Sequence, residues 1–464
     1  MNNFTFDEFK KWLGYLKVQY NEVLSLLFIL IFFFIFIVIP IHNGIRNDYH
    51  YEKYTYIFVY LIIIVHWLIW RYKYPRNKNN KTGLVIAIYA RNKEELDTKN
   101  LFLNQLKKNF ATSDLYKIFN VIDLKNHLAK NIKSNDDLES LHKKVKGHIY
   151  YFGEILKEND GDVEKYFITL DGYVKHMPIP TPVSRELSFD FRSVLPKEIN
   201  FSTFFGLRGC RATANIAYLT TKYITGVASF LSGNPFLAYK LHEGLENEFS
   251  EYYAIDKNFK DIGALTTIDL KYLDKIKKKI PLIMSNECQI IASIYYKNNI
   301  FDQARFFLNL SLKYNPKNYS AWLLKAIIDF MADDNVMESI KSIKMAEKYS
   351  IGTYEWRYSK AFLMFWTEKY NEAWKECQKI MQARYENEEK TVEEIKHFNL
   401  SLLEKNPNKI QLYFWLGFTQ YKKIHQLPNS LNYFETFVRK GNNVDFLIKK
   451  AQSYLVDIKK EMHI

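Results

Sequence analysis

The side chains that could do chemistry are scattered along the chain and form no recognisable catalytic motif. His142, His148 and His176 lie in one stretch, but their separations do not match the ligand spacing of a metal site. No H-E-x-x-H, C-x-x-C or G-x-S-x-G sequence occurs, and no pair of acids stands in a catalytic frame. The sequence therefore predicts no catalytic residue, no cofactor and no metal, and it favours a protein that is not an enzyme.

The three cysteines, Cys210, Cys288 and Cys377, are far apart and unpaired in sequence. An odd, sparse count argues against a disulfide framework and fits a reducing compartment. We expect each to be a small buried apolar residue rather than a nucleophile. The glutamates at 388–389 and 393–394 are expected to lie on a solvated helix surface.

Basic residues near glycines are the remaining candidates for binding a small ligand. Arg91, Lys93, Arg208 and Arg211 could supply positive charge to an anion. No G-x-x-x-x-G-K-[ST] sequence is present, so a phosphate-binding loop is not indicated. The run at 206–211 (GLRGCR) has two interpretations, an anion site at Arg208 and Arg211 or a loop that leads into the helical region. The second is favoured.

The charge balance is strongly basic, with 65 Lys and Arg against 51 Asp and Glu and a net charge of +14. Such a surplus favours nucleic acid, anionic lipid or acidic proteins. No base-stacking motif or helix-turn-helix spacing accompanies the charge, so nucleic-acid binding is not favoured. Much of the surplus follows directly after the second of two hydrophobic segments.

These two segments predict a transmembrane hairpin over residues 23–70, with spans at 23–41 and 54–70. About 19 apolar residues in helical form span roughly 28 Å, the thickness of a hydrocarbon core. Tyrosine and tryptophan near the ends of the second span favour the membrane interface. His66 lies inside that span and is the candidate intramembrane polar residue.

The flanking charges predict the orientation of this hairpin. The linker at 71–82 is basic and lacks acids, which places it and both termini on the cytoplasmic side of a bacterial inner membrane. Residues 1–22 carry an apolar stripe at helical spacing. This stripe predicts an amphipathic helix that lies on the inner leaflet or packs on the protein's own folded part.

Residues 83–182 predict a small α/β domain with the order β-α-β-α-β-β. The predicted strands are 84–89 (LVIAIY), 118–122, 148–156 and 163–175, and the last two flank an Asn-Asp-Gly-Asp turn at 159–162. This order, with Tyr150-Tyr151-Phe152-Gly153-Glu154 in the third strand, resembles the N-terminal domain of TolB-like proteins. The resemblance implies an interaction or ligand-sensing module rather than an enzyme.

After a connector at 183–211, small residues recur in pairs through residues 212–464. A helix pair that crosses closely needs a small residue on each helix, because larger side chains would separate the backbones. Such residues stand twelve positions apart in three pairs, Gly226 with Ala238, Ala292 with Ala304, and Ala361 with Ala373. Two further pairs, Ala326 with Ser339 and Gly417 with Ser430, are thirteen apart.

Around Ala292 the pattern continues with Tyr295, with Pro316 closing the unit and with Trp322 opening the next. This pattern resembles the tetratricopeptide-repeat family, with about five divergent units. The resemblance implies a C-terminal α-solenoid that binds a protein or peptide partner in a groove.

The complete expectation is a membrane-anchored α+β protein made of a two-helix transmembrane hairpin, a small α/β domain and a C-terminal α-solenoid. Its expected partners are the lipid bilayer, a protein or peptide, and a second copy through the hairpin. Two functional hypotheses follow. The first is a membrane-anchored cytoplasmic scaffold or sensor, and the second is a membrane-permeabilising effector of a bacterial stress or antiphage defence system.

Overall fold

The computed structural model describes four residues between 26 and 34 and most of the chain from 51 to 464. The gaps in the second range are 78–80, 114, 161–162, 176–179, 197, 204–205, 246, 249–266, 353, 384–387 and 442–444. The chain divides into two compact units, Met1–Ile280 (unit 1) and Pro281–Ile464 (unit 2). The repeats were predicted from residue 212 onward, whereas this division falls inside a long helix.

The first helix, α1 (Tyr51–Tyr72), covers the predicted second membrane span. Across the described residues, the structure contains no helix that is both long enough and apolar enough to cross a membrane. The aliphatic stretch of α1 is short because Tyr60 and His66 interrupt it, whereas a span needs about 20 predominantly apolar residues. The predicted span at 54–70 is therefore wrong.

The membrane-anchored fold class and the multi-pass inner-membrane location are wrong for the same reason. His66, the candidate intramembrane polar residue, is exposed on α1. The predicted helix at 1–22 lies outside the described residues, and so does nearly all of the span at 23–41. The hypothesis of a permeabilising effector depended on both spans, and it loses the second.

Unit 1 contains a six-stranded mixed sheet with the order β2-β1-β3-β4-β6, in which β5 also pairs with β3. The strands are β1 (Thr82–Ala90), β2 (Phe119–Asp123), β3 (Ile149–Asp160), β4 (Val163–Thr169), β5 (Asp171–Val174) and β6 (Glu198–Ser202). β1 runs parallel to β2 and β3. The pairs β3–β4, β3–β5 and β4–β6 are antiparallel.

The predicted strand at 84–89 lies within β1, and the predicted hairpin is confirmed because Asp160 pairs with Val163. The predicted last strand, 163–175, is two strands, β4 and β5. The ladder is interrupted between them because the amide of Glu154 bonds to the side chain of Thr169, 3.0 Å away, instead of to a backbone carbonyl. The predicted connector at 183–211 contains β6, which pairs with β4.

Helices cover both faces of β1, which explains why the strand is a continuous apolar run that is almost entirely buried. The helices of unit 1 after α1 are α2 (Lys93–Thr112), α3 (Asn126–Ala129), α4 (Asn135–Val145), α5 (Thr181–Ser193), α6 (Gly206–Leu231) and α7 (Pro235–Glu243). One face of the sheet packs on α3 and α4 through Val85, Ala87 and Tyr150. On the other face the Tyr151 hydroxyl donates to the Ala217 carbonyl of α6, 2.7 Å away.

Unit 2 is helical throughout its described residues. It begins within α8 (Thr267–Lys297) and continues with α9 (Phe301–Tyr314), α10 (Tyr319–Asp333), α11 (Val336–Tyr349), α12 (Trp356–Trp366), α13 (Tyr370–Gln382), α14 (Glu388–Lys405), α15 (Gln411–Lys422), α16 (Leu427–Lys440) and α17 (Asp445–Glu461). Short turns join α8 to α9, α10 to α11, α12 to α13 and α15 to α16 into helix pairs.

Helix α14 stands between these pairs and belongs to none of them. Its Phe398 packs against Phe330 of α10 and Phe362 of α12, with ring centroids 6.3 and 5.2 Å apart. The helix therefore lies across the first helices of two successive pairs. Its apolar side forms one wall of the cavity described below.

Candidate functional site

The small residues that the repeat pattern singles out are buried within helix pairs. Ala292, Ala304, Ala326, Ala361 and Ala373 are all at most 1 % exposed. At one crossing the contact is direct, because the Ser339 hydroxyl donates to the Ala326 carbonyl oxygen, 2.8 Å away. A larger side chain at these positions would force the two helices apart.

The other residues of the pattern have structural contacts as well. Tyr295 stacks on Phe307 with ring centroids 5.7 Å apart. The Trp322 indole N–H donates to the Pro316 carbonyl, 2.9 Å away, and so fixes the turn between α9 and α10. Both contacts hold neighbouring elements of unit 2 together.

In unit 1, Gly226 of α6 does not meet the predicted partner Ala238. A Cβ atom at Gly226 would lie 2.3 Å from Nε2 of His242, and that nitrogen lies 2.9 Å from the Tyr223 carbonyl. Ala238 is fully buried on α7. The two helices do cross closely, but an imidazole fills the space beside the glycine.

A cavity of about 590 Å³ lies between α8, α10, α12 and α14 of unit 2, and we call it the helical groove. Its volume is within the range of about 300–1,000 Å³ that ligand sites occupy. Aromatic side chains from five helices line it: Tyr296, Phe330, Tyr358, Phe362, Phe398 and Trp415. Tyr358 and Phe362 belong to the buried core of unit 2 and also line this cavity.

The groove has a rigid apolar wall because its aromatic rings pack edge to face. Phe330 meets Phe362 with centroids 5.1 Å apart at an interplanar angle of 86°. Phe362 meets Phe398 in the same way, with centroids 5.2 Å apart at 73°. Tyr358 lies tilted against Trp415 with centroids 6.1 Å apart. Edge-to-face pairs of this kind add about 0.5–1.5 kcal/mol beyond the burial of their area. The wall is therefore preformed.

Three buried polar atoms of the groove lining have no hydrogen-bond partner within the described residues. They are Oε2 of Glu355, Oδ1 of Asn399 and Nε1 of Trp415. Asn399 is 1 % exposed and Trp415 is fully buried. The amide nitrogen of Asn399 donates to the Ile395 carbonyl, 2.7 Å away, which fixes its side chain.

A buried polar atom without a partner costs about 1–3 kcal/mol. Native proteins keep few such atoms, and those that persist call for a functional explanation. Here the three residues that carry these two acceptors and one donor all belong to the lining of one cavity.

Charge in the groove differs from that of the whole chain. Two acids, Glu355 and Glu394, line it together with one base, Lys297. Burial raises the pKa of the Tyr296 hydroxyl, so this group stays neutral and can donate a hydrogen bond at physiological pH. The groove is thus slightly acidic in a protein with a net charge of +14.

The remaining chemical candidates are structural. All three cysteines are buried and free, and burial raises the pKa of Cys210 to about 12, which suppresses the nucleophilic thiolate. Within the described ranges, no three side chains of His, Cys, Asp or Glu come together in a way that could hold a metal ion. His142 Nδ1 lies 2.9 Å from the Gly147 carbonyl, a contact within its own turn.

The run at 206–211 is not a loop, because it forms the first turns of α6. Arg208 and Arg211 are exposed there. Glu388 was expected on a solvated surface, but its carboxylate lies 2.6 Å from the Lys423 ammonium, whose side chain is 4 % exposed. That ammonium also donates to the Ala383 carbonyl, 2.7 Å away, and so caps α13.

No protein-family model matches the chain, and no curated protein resembles it at a significant level. The resemblances to tetratricopeptide repeats and to TolB-like domains therefore stay predictions. The groove residues Glu355, Asn399 and Trp415 were not predicted from the sequence. One available signal was the asparagine between Phe398 and Leu400, since a polar residue inside an apolar stretch needs a partner.

Proposed function

We propose that unit 2 is a binding module for a segment of another protein and that the helical groove is its binding site. The observation that carries this proposal is the group of three buried polar atoms, on Glu355, Asn399 and Trp415, that lack partners beside an aromatic wall. Paired helices with small residues at their crossings support it, because such arrays present binding surfaces along their helices.

The chemistry of the lining specifies the segment. Apolar walls around Phe330, Phe362 and Phe398 suit one large aliphatic or aromatic side chain. The carboxylates of Glu355 and Glu394 favour a Lys or Arg close to this anchor. The Trp415 N–H suits a backbone carbonyl of the bound segment. The expected ligand is thus a short apolar segment that carries a basic residue.

The test is a selection from a random peptide library displayed on phage, with the full chain as target. We expect enriched peptides to place an aromatic or aliphatic residue within a few positions of Lys or Arg. Ser359 lines the groove on α12, so Ser359→Trp fills the cavity. This variant should weaken binding of the enriched peptides by about tenfold or more, a loss of about 1.4 kcal/mol.

The matched control is Ser401→Trp, which adds the same side chain to an exposed serine of α14 outside the groove. It should bind the enriched peptides as the native chain does. The proposal is wrong if the enriched peptides are acidic, or if Ser359→Trp and the native chain bind them equally well.

A further inference from the structure

A second cavity, of about 900 Å³, lies in unit 1 at the carboxyl ends of the parallel strands, and we call it the strand-end crevice. β1 has β2 on one side and β3 on the other, and both follow it in the chain. The strand order therefore reverses at β1. In open α/β sheets, the crevice outside the carboxyl ends of the strands at such a point is where ligands bind.

Four basic side chains line the crevice: Arg91, Lys130, Lys133 and Arg192. They come from the end of β1, from the end of α3 and the segment after it, and from α5. Two acids, Glu154 and Asp171, also line it. The lining thus has an excess of two positive charges, the reverse of the balance in the helical groove.

The two arginines are held in place by their ion pairs, whereas the two lysines have no carboxylate paired with them among the described residues, and the Lys130 ammonium lies 5.8 Å from the centroid of the Tyr89 ring. Arg192 Nε lies 3.1 Å from the Asp171 carboxylate and donates to the Gly172 carbonyl, 3.0 Å away. Arg91 lies 3.7 Å from Glu154. Lys130 and Lys133 are exposed, and within the described residues neither ammonium forms an ion pair. Both ammonium groups are therefore available to an anion.

Backbone amides at this edge are already occupied, which decides how an anion can be held. Both Arg91 N–H and Asn92 N–H donate to Oε2 of Glu95, at 2.5 and 3.3 Å. In phosphate-binding loops the equivalent amides contact the ligand. Here Glu95 already accepts from both amides, so they cannot bind a ligand. An anion in the crevice must therefore be bound by the basic side chains.

The other lining of the crevice is apolar and includes Tyr89, Phe152 and Ile132. Its floor includes Gly153, which has φ +151° and lies close against the backbone of Thr169. A Cβ atom there would lie 2.1 Å from the Thr169 carbonyl oxygen, so only glycine fits. An apolar aromatic wall beside a cationic rim suits a molecule with a flat ring and a phosphate group.

We propose that the strand-end crevice binds a phosphate-bearing small molecule of nucleotide size. Arg91, Lys130, Lys133 and Arg192 contact the phosphates, and Tyr89 and Phe152 contact the ring. This site is independent of the helical groove, and nothing in its chemistry requires the proposed peptide ligand.

The experiment is calorimetric titration of the full chain with three probes at low salt: ATP, inorganic triphosphate and adenosine. ATP should bind more tightly than either of the others, because it alone offers both the ring and the charge. Arg91→Gln with Lys133→Gln should weaken ATP binding by about a hundredfold, since each charged contact contributes about 1.5 kcal/mol or more.

The matched control changes the same amount of charge outside the crevice, by Lys107→Gln with Lys108→Gln on the exposed side of α2. It should leave ATP binding within about twofold of the native chain. Resistance of the buried Cys210 to thiol reagents in both variants checks that unit 1 remains folded.

Three outcomes would overturn the proposal. ATP binding that survives the crevice variant places the ligand elsewhere. An equal loss of ATP affinity in the control variant would show that only the net charge of the protein matters. Triphosphate or adenosine binding as tightly as ATP excludes a nucleotide-class ligand.

Discussion

The strand-end crevice and the helical groove offer opposite chemistry to a ligand. In unit 1, long basic side chains from the end of β1, from the end of α3 and the segment after it, and from α5 meet at one edge of the sheet. In unit 2, helices pack side by side, and aromatic rings from α10, α12 and α14 meet in the space between them. The crevice at the sheet edge is therefore lined by charged side chains, whereas the groove between the helices is lined mainly by apolar ones.

The two sites also differ in how their polar groups are satisfied. Around β1 nearly every backbone group has a partner, since the Asn126 side chain bonds both the N–H and the C=O of Ala90 at 2.9 and 2.7 Å. In the groove, three buried polar atoms lack one. The crevice thus combines satisfied backbone groups with charged side chains, whereas the groove lining keeps buried polar atoms without partners, which is costly in a low-dielectric interior.

The largest expected effect is a loss of stability in unit 1 alone, caused by the backbone geometry at Gly153. Gly153→Ala places a Cβ atom 2.1 Å from the Thr169 carbonyl at a φ of +151°, and we expect it to destabilise unit 1 by about 3 kcal/mol. Faster alkylation of Cys210 would report this opening, while Cys377 in unit 2 should stay protected.

The control is Gly206→Ala, since only Tyr166 lies near an added Cβ atom there, at 3.9 Å. Its Cys210 should stay protected. If Gly153→Ala leaves Cys210 equally protected, the closed geometry at the floor of the crevice is wrong.

The next effect tests the helix crossings in unit 2. Ala361→Leu adds bulk at a fully buried crossing position, and overpacking of this kind costs about 1–3 kcal/mol. We expect Cys377 to be alkylated faster while the rate at Cys210 is unchanged. Ala332→Leu, at an exposed position of α10, should change neither rate. Equal tolerance of both substitutions would remove the packing explanation for the repeated small residues.

Acid should open unit 1 before unit 2. Burial lowers the pKa of His142 from its ordinary value of 6.5, so the folded unit binds fewer protons than the unfolded chain. The stability that this histidine contributes is present above pH 6.5 and is lost as the pH falls through its folded-state pKa. Amide hydrogen exchange near α4, corrected for intrinsic rates, should accelerate below pH 6.5.

Glu376 gives the corresponding behaviour in unit 2. Burial alone would raise its pKa, but Lys379, Lys360 and Arg357 outweigh burial and lower it from 4.5. Its contribution is therefore present above pH 4.5 and is lost only as the pH falls below that. His142→Gln and Glu376→Gln should each flatten the acid response of their own unit. A unit 2 that opens first on acidification would contradict this order.

The smallest effect concerns one donor in the groove. Trp415→Phe removes the unpartnered N–H and keeps an aromatic ring at a fully buried position. Peptides selected on the native chain should bind about fivefold more weakly, because one neutral hydrogen bond contributes about 1 kcal/mol. Fluorescence anisotropy with labelled peptide measures the change, and unchanged affinity would show that this donor does not face the ligand.

Local sequence patterns predicted the strands and helix pairs, whereas the two cavities are formed by residues that are distant in sequence. The run at 84–89 and the turn at 159–162 were sufficient to predict β1 and the β3–β4 hairpin, since both depend on neighbouring residues. Arg91 and Arg192 are about a hundred positions apart, so only the sheet brings them to one crevice. The small residues predicted helix pairs, but they contain no information on α14, which lies across two of them.

The membrane prediction failed for a different and local reason. The span at 54–70 was predicted from its apolar run and from the aromatic residues near its ends, while Tyr60 and His66 shorten the aliphatic stretch. Most polar residues of the two sites could not be predicted from the sequence either. A carboxylate such as Glu355 has an ordinary place in the sequence, and only folding removes its partner.

The most direct test of two independent sites is a crossed titration. The native chain, Ser359→Trp, and Arg91→Gln with Lys133→Gln are each titrated with a selected peptide and with ATP. We expect the groove variant to lose the peptide and keep ATP, and the crevice variant to lose ATP and keep the peptide. If either variant loses both ligands, or if neither loses any, the assignment of one ligand class to each unit is contradicted.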